Sequence, residues 1–544
     1  MTPIDDSDPR LVAAENALAQ RAYREAHAAC MAVLRDDPAN GKAYVLLGVL
    51  TADHDNHAKA IELFERASQR QKRPDALALK GRSLIALNRK QEAVGAASEA
   101  LALAKQAPGH VMAHTWDTIG VTLSRAGRHE EAIAPYDEAV SLEPRNGSYH
   151  YNRAAALQFL GQMDQAAAAY REAARWNPGD WRALPAAVML KRVEDASQDI
   201  AQLSELFDQA KEAGDADGQL HVGHALAKIY EDQKSPKDAM TWLAQAKAAK
   251  KEAVGFDLAE IAALFGAAHE ALGAQSAMIS AEPSDGDAPI FIVGMPRTGT
   301  TLTDRILSSH SAMTSAGELA DMSLLIKKAA GTSSPLVLDV ETLKAQAHCN
   351  AKSVGDAYLR GVRDTLGLEG RFTDKMPLNV FFVPFILRAI PSARVICLDR
   401  FPPDTVLSNY KQLFATGFSY YNYSYDLEWT AQYTAHFFKL LAAYEKLLPP
   451  RRFQRLSYEG LVDAIEPETR KTLAFAGLPF EEACLSFQDN QAPVATASSA
   501  QVRQPLYRTA LGRWKRYQDD LMPALDVLIK EGLLDPGSLS EQLR

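Results

Sequence analysis

The chain is poor in cysteine, in surplus positive charge and in long apolar runs, and each shortage closes off a class of protein. Its four cysteines, Cys30, Cys349, Cys397 and Cys484, include no CxxC pair. So few, so scattered, they argue against a disulfide framework and against a thiolate zinc site. Asp and Glu (68) outnumber Lys and Arg (59), leaving a net charge of −9. A whole-surface attraction for nucleic acid is therefore not expected, although a local set of arginines and backbone N–H groups can still bind a small anion. No apolar run reaches the roughly 18 residues that a membrane span needs. The opening MTPIDDSDPR is acidic and polar, unlike a secretory signal, so a reduced cytoplasm is the expected location. Histidines and carboxylates show no metal-ligand spacing, and no metal is expected. What remains is an ordinary globular composition, 47% hydrophobic and 23% charged, over 544 residues. At about 100–200 residues per domain, that length suggests about two to four folding units.

The first half is repetitive. Prolines recur at Pro38, Pro74, Pro108, Pro144 and Pro178, at intervals of 36, 34, 36 and 34 residues. Gly127, Ala132, Tyr136, Ala139 and Pro144 align with Gly161, Ala166, Tyr170, Ala173 and Pro178, each 34 residues on. Small residues let paired helices approach, tyrosines fill the gap to the next pair, and proline stops a second helix. This pattern resembles the tetratricopeptide repeat, with VLLGVL at 45–50 and TIGVTL at 118–123 as first helices. The expected organisation is an all-α repeat solenoid over 1–184, degenerate helical repeats and a cap over 185–280, a linker at 281–288, and an α/β domain over 289–544. Such an array forms a groove that takes an extended peptide or a partner domain, or else serves as a spacer; both readings stand.

The second half opens with PIFIVGMPRTGTTLTDRILSSH, residues 289–310. Ile290 to Val293 reads as a buried parallel strand, Gly294 to Gly299 as a tight turn, and Thr300 onward as helix. Strand, glycine loop and helix start point several N–H groups and the positive helix end at one spot, a ready anion site. Gly294 and Gly299 have the spacing of a nucleoside-triphosphatase loop, but Thr300 stands where its lysine belongs and Arg297 supplies the cation instead. That disfavours a kinase or ATPase.

PRTGTTL, residues 296–302, resembles the 5′-phosphosulfate loop of sulfotransferases that use 3′-phosphoadenosine-5′-phosphosulfate (PAPS), in particular the branch with protein-tyrosine sulfotransferases and repeat-fused bacterial relatives. The resemblance implies a P-loop-like parallel sheet flanked by helices. It also implies PAPS as co-substrate, with 3′,5′-adenosine bisphosphate as product, bound through Arg297, Thr298, Gly299, Thr300 and Thr301. Arg400, ending the strand ARVICLD, and Ser408 match the residues that hold the 3′-phosphate, the arginine as a fork of donors and the serine as a short hydroxyl contact. Tyr458 in LSYEGLV is either an adenosine-phosphate contact or a tyrosine packed at a strand end. Ser498, in TASSAQVRQPLY, matches the serine of the C-terminal cofactor loop, and Arg503 is a candidate contact in the same loop. Gln504 stands where the tyrosine-sulfotransferase pattern has lysine, with Arg503 adjacent, and Lys411 or Gln412 occupies the place of a further arginine.

Sulfuryl transfer needs a base, a partner for the leaving oxygen and a clamp on the sulfonate. Glu318 in SAGELADM lies 21 residues after Arg297 and matches the family's catalytic glutamate. Lys375 in FTDKMPLN is expected at a strand's carboxyl end, facing the leaving oxygen, with Arg297 and Ser498 assisting. His310 and Asp374 read as structural. Seven of the sixteen residues in FSYYNYSYDLEWTAQY, 418–433, are aromatic, fitting either an acceptor pocket or a packed lid. The expected activity is sulfuryl transfer to an acceptor hydroxyl, on a protein or peptide, tyrosine included. The alternative is an inactive repeat scaffold that binds an adenosine bisphosphate.

Overall fold

The computed structural model describes residues 8–70, 72–192, 196–284, 288–368, 370–490, 502, 506 and 508–537. Part of the expected linker, 285–287, lies outside them. The chain forms two compact units, Met1–Ala213 and Gly214–Arg544.

The first unit holds five antiparallel helix pairs: Pro9–Ala19 with Tyr23–Asp36, Gly41–Ala52 with His57–Ala67, Pro74–Ala86 with Lys90–Gln106, Ala113–Arg125 with His129–Leu142, and Gly147–Phe159 with Met163–Trp176. Each pair turns through one left-handed residue: Arg21 (φ 58°), Asp55 (58°), Asn88 (56°), Gly127 (85°) and Gly161 (77°). The N–H of the next residue then bonds a carbonyl five positions back, as in Ala22 N–H to Ala17 O at 2.8 Å and Gln162 N–H to Leu157 O at 3.0 Å. This is the glycine-type helix stop. Only the last two pairs place glycine there, which is why the pattern is faint in the others. Asp and Asn tolerate the conformation, while Arg21 costs about 1–2 kcal/mol.

The aligned alanines 132, 139, 166 and 173 and the tyrosines 136 and 170 are all buried. Pro38, Pro144 and Pro178 follow second helices as expected. Pro74 does not. It is the first residue of helix Pro74–Ala86, a position where the missing N–H has no helical partner to lose.

The second unit begins with helices Ala216–Asp232 and Pro236–Ala253, which use the same turn at Lys234 (φ 62°). Ala227, Met240 and Leu243 from this pair share a core with Leu407, Trp514 and Leu525. Helix Leu258–Gln275 adds Ile261, Phe265 and Leu272 to the main core.

The sheet has five parallel strands: β1 Ile290–Gly294, β2 Thr314–Ser315, β3 Phe372–Asp374, β4 Arg394–Asp399 and β5 Phe453–Ser457. They lie in the order β2-β3-β1-β4-β5. Alternate residues serve opposite faces: Phe291, Val293, Val395 and Cys397 enter one core, Ile290, Ile292, Ile396 and Leu398 the other. Both faces are covered, as an all-parallel sheet requires. After β1 the chain runs to β2 on one side, whereas after β4 it runs to β5 on the other. The carboxyl ends of β1 and β4 therefore flank a topological switch point, where open α/β sheets bind ligands.

Candidate active site at the carboxyl ends of the strands

All five strand ends carry a residue singled out in the sequence: Arg297 after β1, Glu318 after β2, and Lys375, Arg400 and Tyr458 directly after β3, β4 and β5.

The loop after β1 is bent by three left-handed residues, Gly294 (φ 139°), Arg297 (67°) and Gly299 (104°). A Cβ on Gly294 would lie 2.5 Å from Leu398 O, and one on Gly299 would lie 2.7 Å from the Tyr458 ring. Glycine is thus demanded twice, by φ and by space. Arg297 has no such excuse. An arginine held in this region costs about 1–3 kcal/mol, strain of the kind found at ligand clamps. The buried Thr298 Oγ1 ties the loop by donating to Met295 O at 2.7 Å. Thr300 and Thr301 open helix Thr300–Ser308, and both are buried.

Arg400 lies beside this loop. Its guanidinium donates to Arg297 O at 3.4 Å, approaches Ser408 Oγ at 3.5 Å and bonds Ala510 O. It also lies 4.9 Å from the centre of the Tyr458 ring. Its Nε is buried and has no hydrogen-bond partner among the described residues. Tyr458 therefore packs between Gly299 and Arg400 and walls the loop. Ser408 sits in helix Pro402–Tyr410.

The next residue, Asn409, was missed by sequence reading. It is fully buried, donates to Pro296 O at 2.9 Å and accepts from Tyr423 Oη at 2.8 Å, so it moors the loop from behind. Its only signal was adjacency to Ser408. Ser498 and Arg503 lie outside the described residues, as does Gln504. Lys411 is committed elsewhere, to Glu231 and to Tyr517 Oη at 3.1 Å.

On the other side of β1, Lys375 Nζ bonds Glu318 Oε1 directly. The two are unequally placed: the Lys375 side chain is 1% exposed and the Glu318 side chain 39%. The carboxylate is therefore the solvent-facing member of the pair and the ammonium the buried one. Beneath them burial lifts the Asp374 carboxyl to about 7, and Tyr358 Oη donates to it at 2.7 Å. Asp374 is structural, and so is His310, whose Nε2 faces Pro479 O at 3.1 Å and whose Nδ1 accepts from Ala312 N–H at 3.0 Å.

The aromatic segment joins the loop. Gly294, Met295 and Pro296 share a narrow cavity of about 20 Å³ with Pro377, Tyr420 and Tyr421. Tyr423 stacks on Tyr433 at 3.9 Å and both are buried, so this part is packed. Tyr420 and Tyr421 are half-buried. Burial raises the pKa of each phenol, and the charge of Glu318 adds to the rise.

Among the described residues no group of three or more His, Cys, Asp or Glu side chains is arranged to hold a metal, and no helix is long and apolar enough to cross a membrane.

The chain therefore combines a parallel α/β sheet, with an arginine-bearing glycine loop at its switch point, and a unit of helical repeats. Comparison with known proteins gives both parts their families. Residues 289–482 match the sulfotransferase family, and residues 11–76, 56–111 and 118–184 match the tetratricopeptide repeat. The chain thus joins tetratricopeptide repeats to a sulfotransferase-family domain.

An uncharacterized protein of Aquifex aeolicus (strain VF5) is 30% identical over 317 residues, 56% of this chain and 41% of that protein. A protein-tyrosine sulfotransferase of Drosophila melanogaster is 25% identical over 261 residues, 44% of this chain and 51% of that protein. The chain thus spans about half or less of either relative. The solved sulfotransferase domain of the Synechococcus PCC 7002 olefin synthase is 16% identical, with a TM-score of 0.30, covering 43% of this chain and 90% of that domain.

Proposed function

We propose that the protein transfers the sulfuryl group of PAPS to an acceptor hydroxyl on a protein or peptide, tyrosine among the acceptors. The observation that carries this reading is the convergence of Arg297, Glu318, Lys375, Arg400 and Tyr458 at the carboxyl ends of five parallel strands. The donor set suits the nucleotide: a loop of N–H groups at a helix start, and a buried arginine whose Nε has no partner among the described residues.

PAPS supplies the activated sulfonate. In the proposed reaction the acceptor oxygen forms a bond to sulfur while the bond from sulfur to the 5′-phosphate oxygen breaks, releasing 3′,5′-adenosine bisphosphate. Glu318 takes the hydroxyl proton. Lys375, with Arg297 and Ser498, meets the charge that develops on the leaving oxygen. The N–H groups around Thr298, Gly299, Thr300 and Thr301 clamp the sulfonate, and Arg400 with Ser408 holds the 3′-phosphate, with Arg503 as a further contact. This is catalysis by positioning and electrostatics, as in loose phosphoryl transfer. No metal enters the scheme. The repeat unit is proposed to hold a protein or peptide partner, and the cytoplasm is the proposed location.

A second reading, a scaffold that binds the bisphosphate without turnover, is favoured by one feature: Lys375 and Glu318 neutralise each other in this structure. Purified protein incubated with labelled PAPS and an extract of its own source separates the two. Transfer of label to protein in that extract is expected. The Glu318→Gln variant is expected to lose transfer while binding 3′,5′-adenosine bisphosphate within about threefold of wild type. A variant that turns over like wild type removes Glu318 as the base. Binding without transfer by the wild type favours the scaffold.

A further inference from the structure

Glu318 and Lys375 come from different strands, and neither strand end is long enough to fix itself. β2 has two residues and β3 three. Ser315 and Thr373 are register partners across this pair, and their hydroxyls converge on one buried carboxylate, Asp304, from helix Thr300–Ser308. Ser315 Oγ donates to Asp304 Oδ2 at 2.9 Å, and Thr373 Oγ1 donates to Oδ1.

The chain of bonds continues to the reacting groups. Ser315 Oγ accepts from Gly317 N–H at 3.2 Å, and Gly317 O accepts from Lys375 N–H at 2.8 Å. The backbone before Glu318 and the backbone of Lys375 are thus tied to each other and to the helix that starts at the anion loop. Burial pushes the Asp304 carboxyl up, against its two hydroxyl donors and the charges of Lys375 and Arg305. Arg305 is engaged with Asn490, at 3.0 Å to its side chain and 2.9 Å to its carbonyl.

We propose that Asp304 is a positioning residue for transfer: through Ser315 and Thr373 it sets Glu318 against Lys375. The proposal rests on the roles given above to Glu318 and Lys375. It predicts a loss in turnover without a loss in nucleotide binding, because Asp304 bonds none of the loop residues 294–299.

The test measures initial rates of labelled-PAPS transfer into the extract at a fixed extract concentration, giving Vmax and KM for PAPS, with calorimetric binding of 3′,5′-adenosine bisphosphate alongside. Asp304→Ala is expected to lower Vmax about 100-fold, the scale of a small misplacement of reacting groups, with KM and bisphosphate affinity within about threefold. Asp304→Asn offers one acceptor oxygen where the carboxylate offers two, so one of the two hydroxyl bonds must reverse its direction or is lost, and the variant is expected to recover to about tenfold below wild type. Thr373→Val removes one bond at constant shape and is expected to lower Vmax about tenfold with KM unchanged, which keeps the test decisive if Asp304→Ala fails to fold. Wild-type Vmax in Asp304→Ala or in Thr373→Val overturns the proposal. So does a Vmax loss matched by an equal loss of bisphosphate affinity. Glu318→Gln run in parallel separates the two levels. If it turns over normally, the reading beneath the proposal has failed; if it is dead beside a normal Asp304→Ala, only the positioning role has.

Discussion

Burial at the floor of the site makes Asp374 the residue with the clearest pH signature. Its carboxyl is raised to about 7 by desolvation, against an ordinary value of 3.8. The folded protein therefore holds a proton that the unfolded chain releases between these values. Stability contributed by the neutral form is lost as pH rises from about 4 through 7, and the cost is complete above. Asp374→Asn keeps an acceptor for Tyr358 Oη and cannot ionise. Its unfolding temperature relative to wild type is expected to be near level at pH 4 and to rise to a plateau above about pH 7.5. The ceiling is about 4 kcal/mol at about 1.4 kcal/mol per unit. Scanning calorimetry across that range checks it, and a difference that shrinks with rising pH would show that burial is not the cause. At the same scale Arg297 is informative in another way: its identity was legible in PRTGTT, but its left-handed backbone was not, because a lone arginine gives no sequence sign of positive φ.

Among the elements, the helix Ala216–Asp232 has the least expected role. Its Glu231 accepts from Lys411, Arg513 and Tyr517, three residues from two other segments. Burial pushes the Glu231 carboxyl up, but the charges of Lys411 and Arg513 outweigh it and the pKa falls below the usual glutamate value. Lys411 itself is pulled down to about 8, by burial. This knot fixes the end of helix Pro402–Tyr410, which carries Ser408 and Asn409. Glu231→Gln leaves two cations close together and partly buried without their anion. It is expected to destabilise the second unit by about 2–3 kcal/mol, and the double variant Glu231→Gln/Lys411→Met is expected to recover part of that loss. Thermal unfolding measures both, and an unchanged midpoint in the single variant contradicts the knot.

For the whole molecule, the helices at 216–275 are part of the second unit's structure. Ile261, Phe265 and Leu272 lie in the same core as Phe291, Val293 and Val395. A fragment of residues 214–544 is expected to unfold cooperatively and to bind 3′,5′-adenosine bisphosphate like the full chain. A fragment of 289–544, which exposes the core those helices cover, is expected to aggregate or lack a cooperative transition. Circular dichroism and calorimetry on the two fragments decide, and a well-folded 289–544 would show the helices to be dispensable.

Local chemistry made much of this readable in sequence. Repeat spacing, the strand–loop–helix start and the loop cation Arg297 each show in a short window, because a helix turn or a glycine bend is decided by near neighbours, whereas Glu318, Lys375 and Arg400 were singled out through the family resemblance. The repeat turns at Arg21, Asp55 and Asn88 were hidden since only glycine advertises a left-handed residue. Asn409 behind the loop, Asp304 beneath the strand ends and Glu231 across two segments could not be found that way. Their partners are distant in sequence, 113 positions for Asn409 with Pro296 and 69 for Asp304 with Thr373. Which buried polar group satisfies which is settled only when packing brings them together and excludes water.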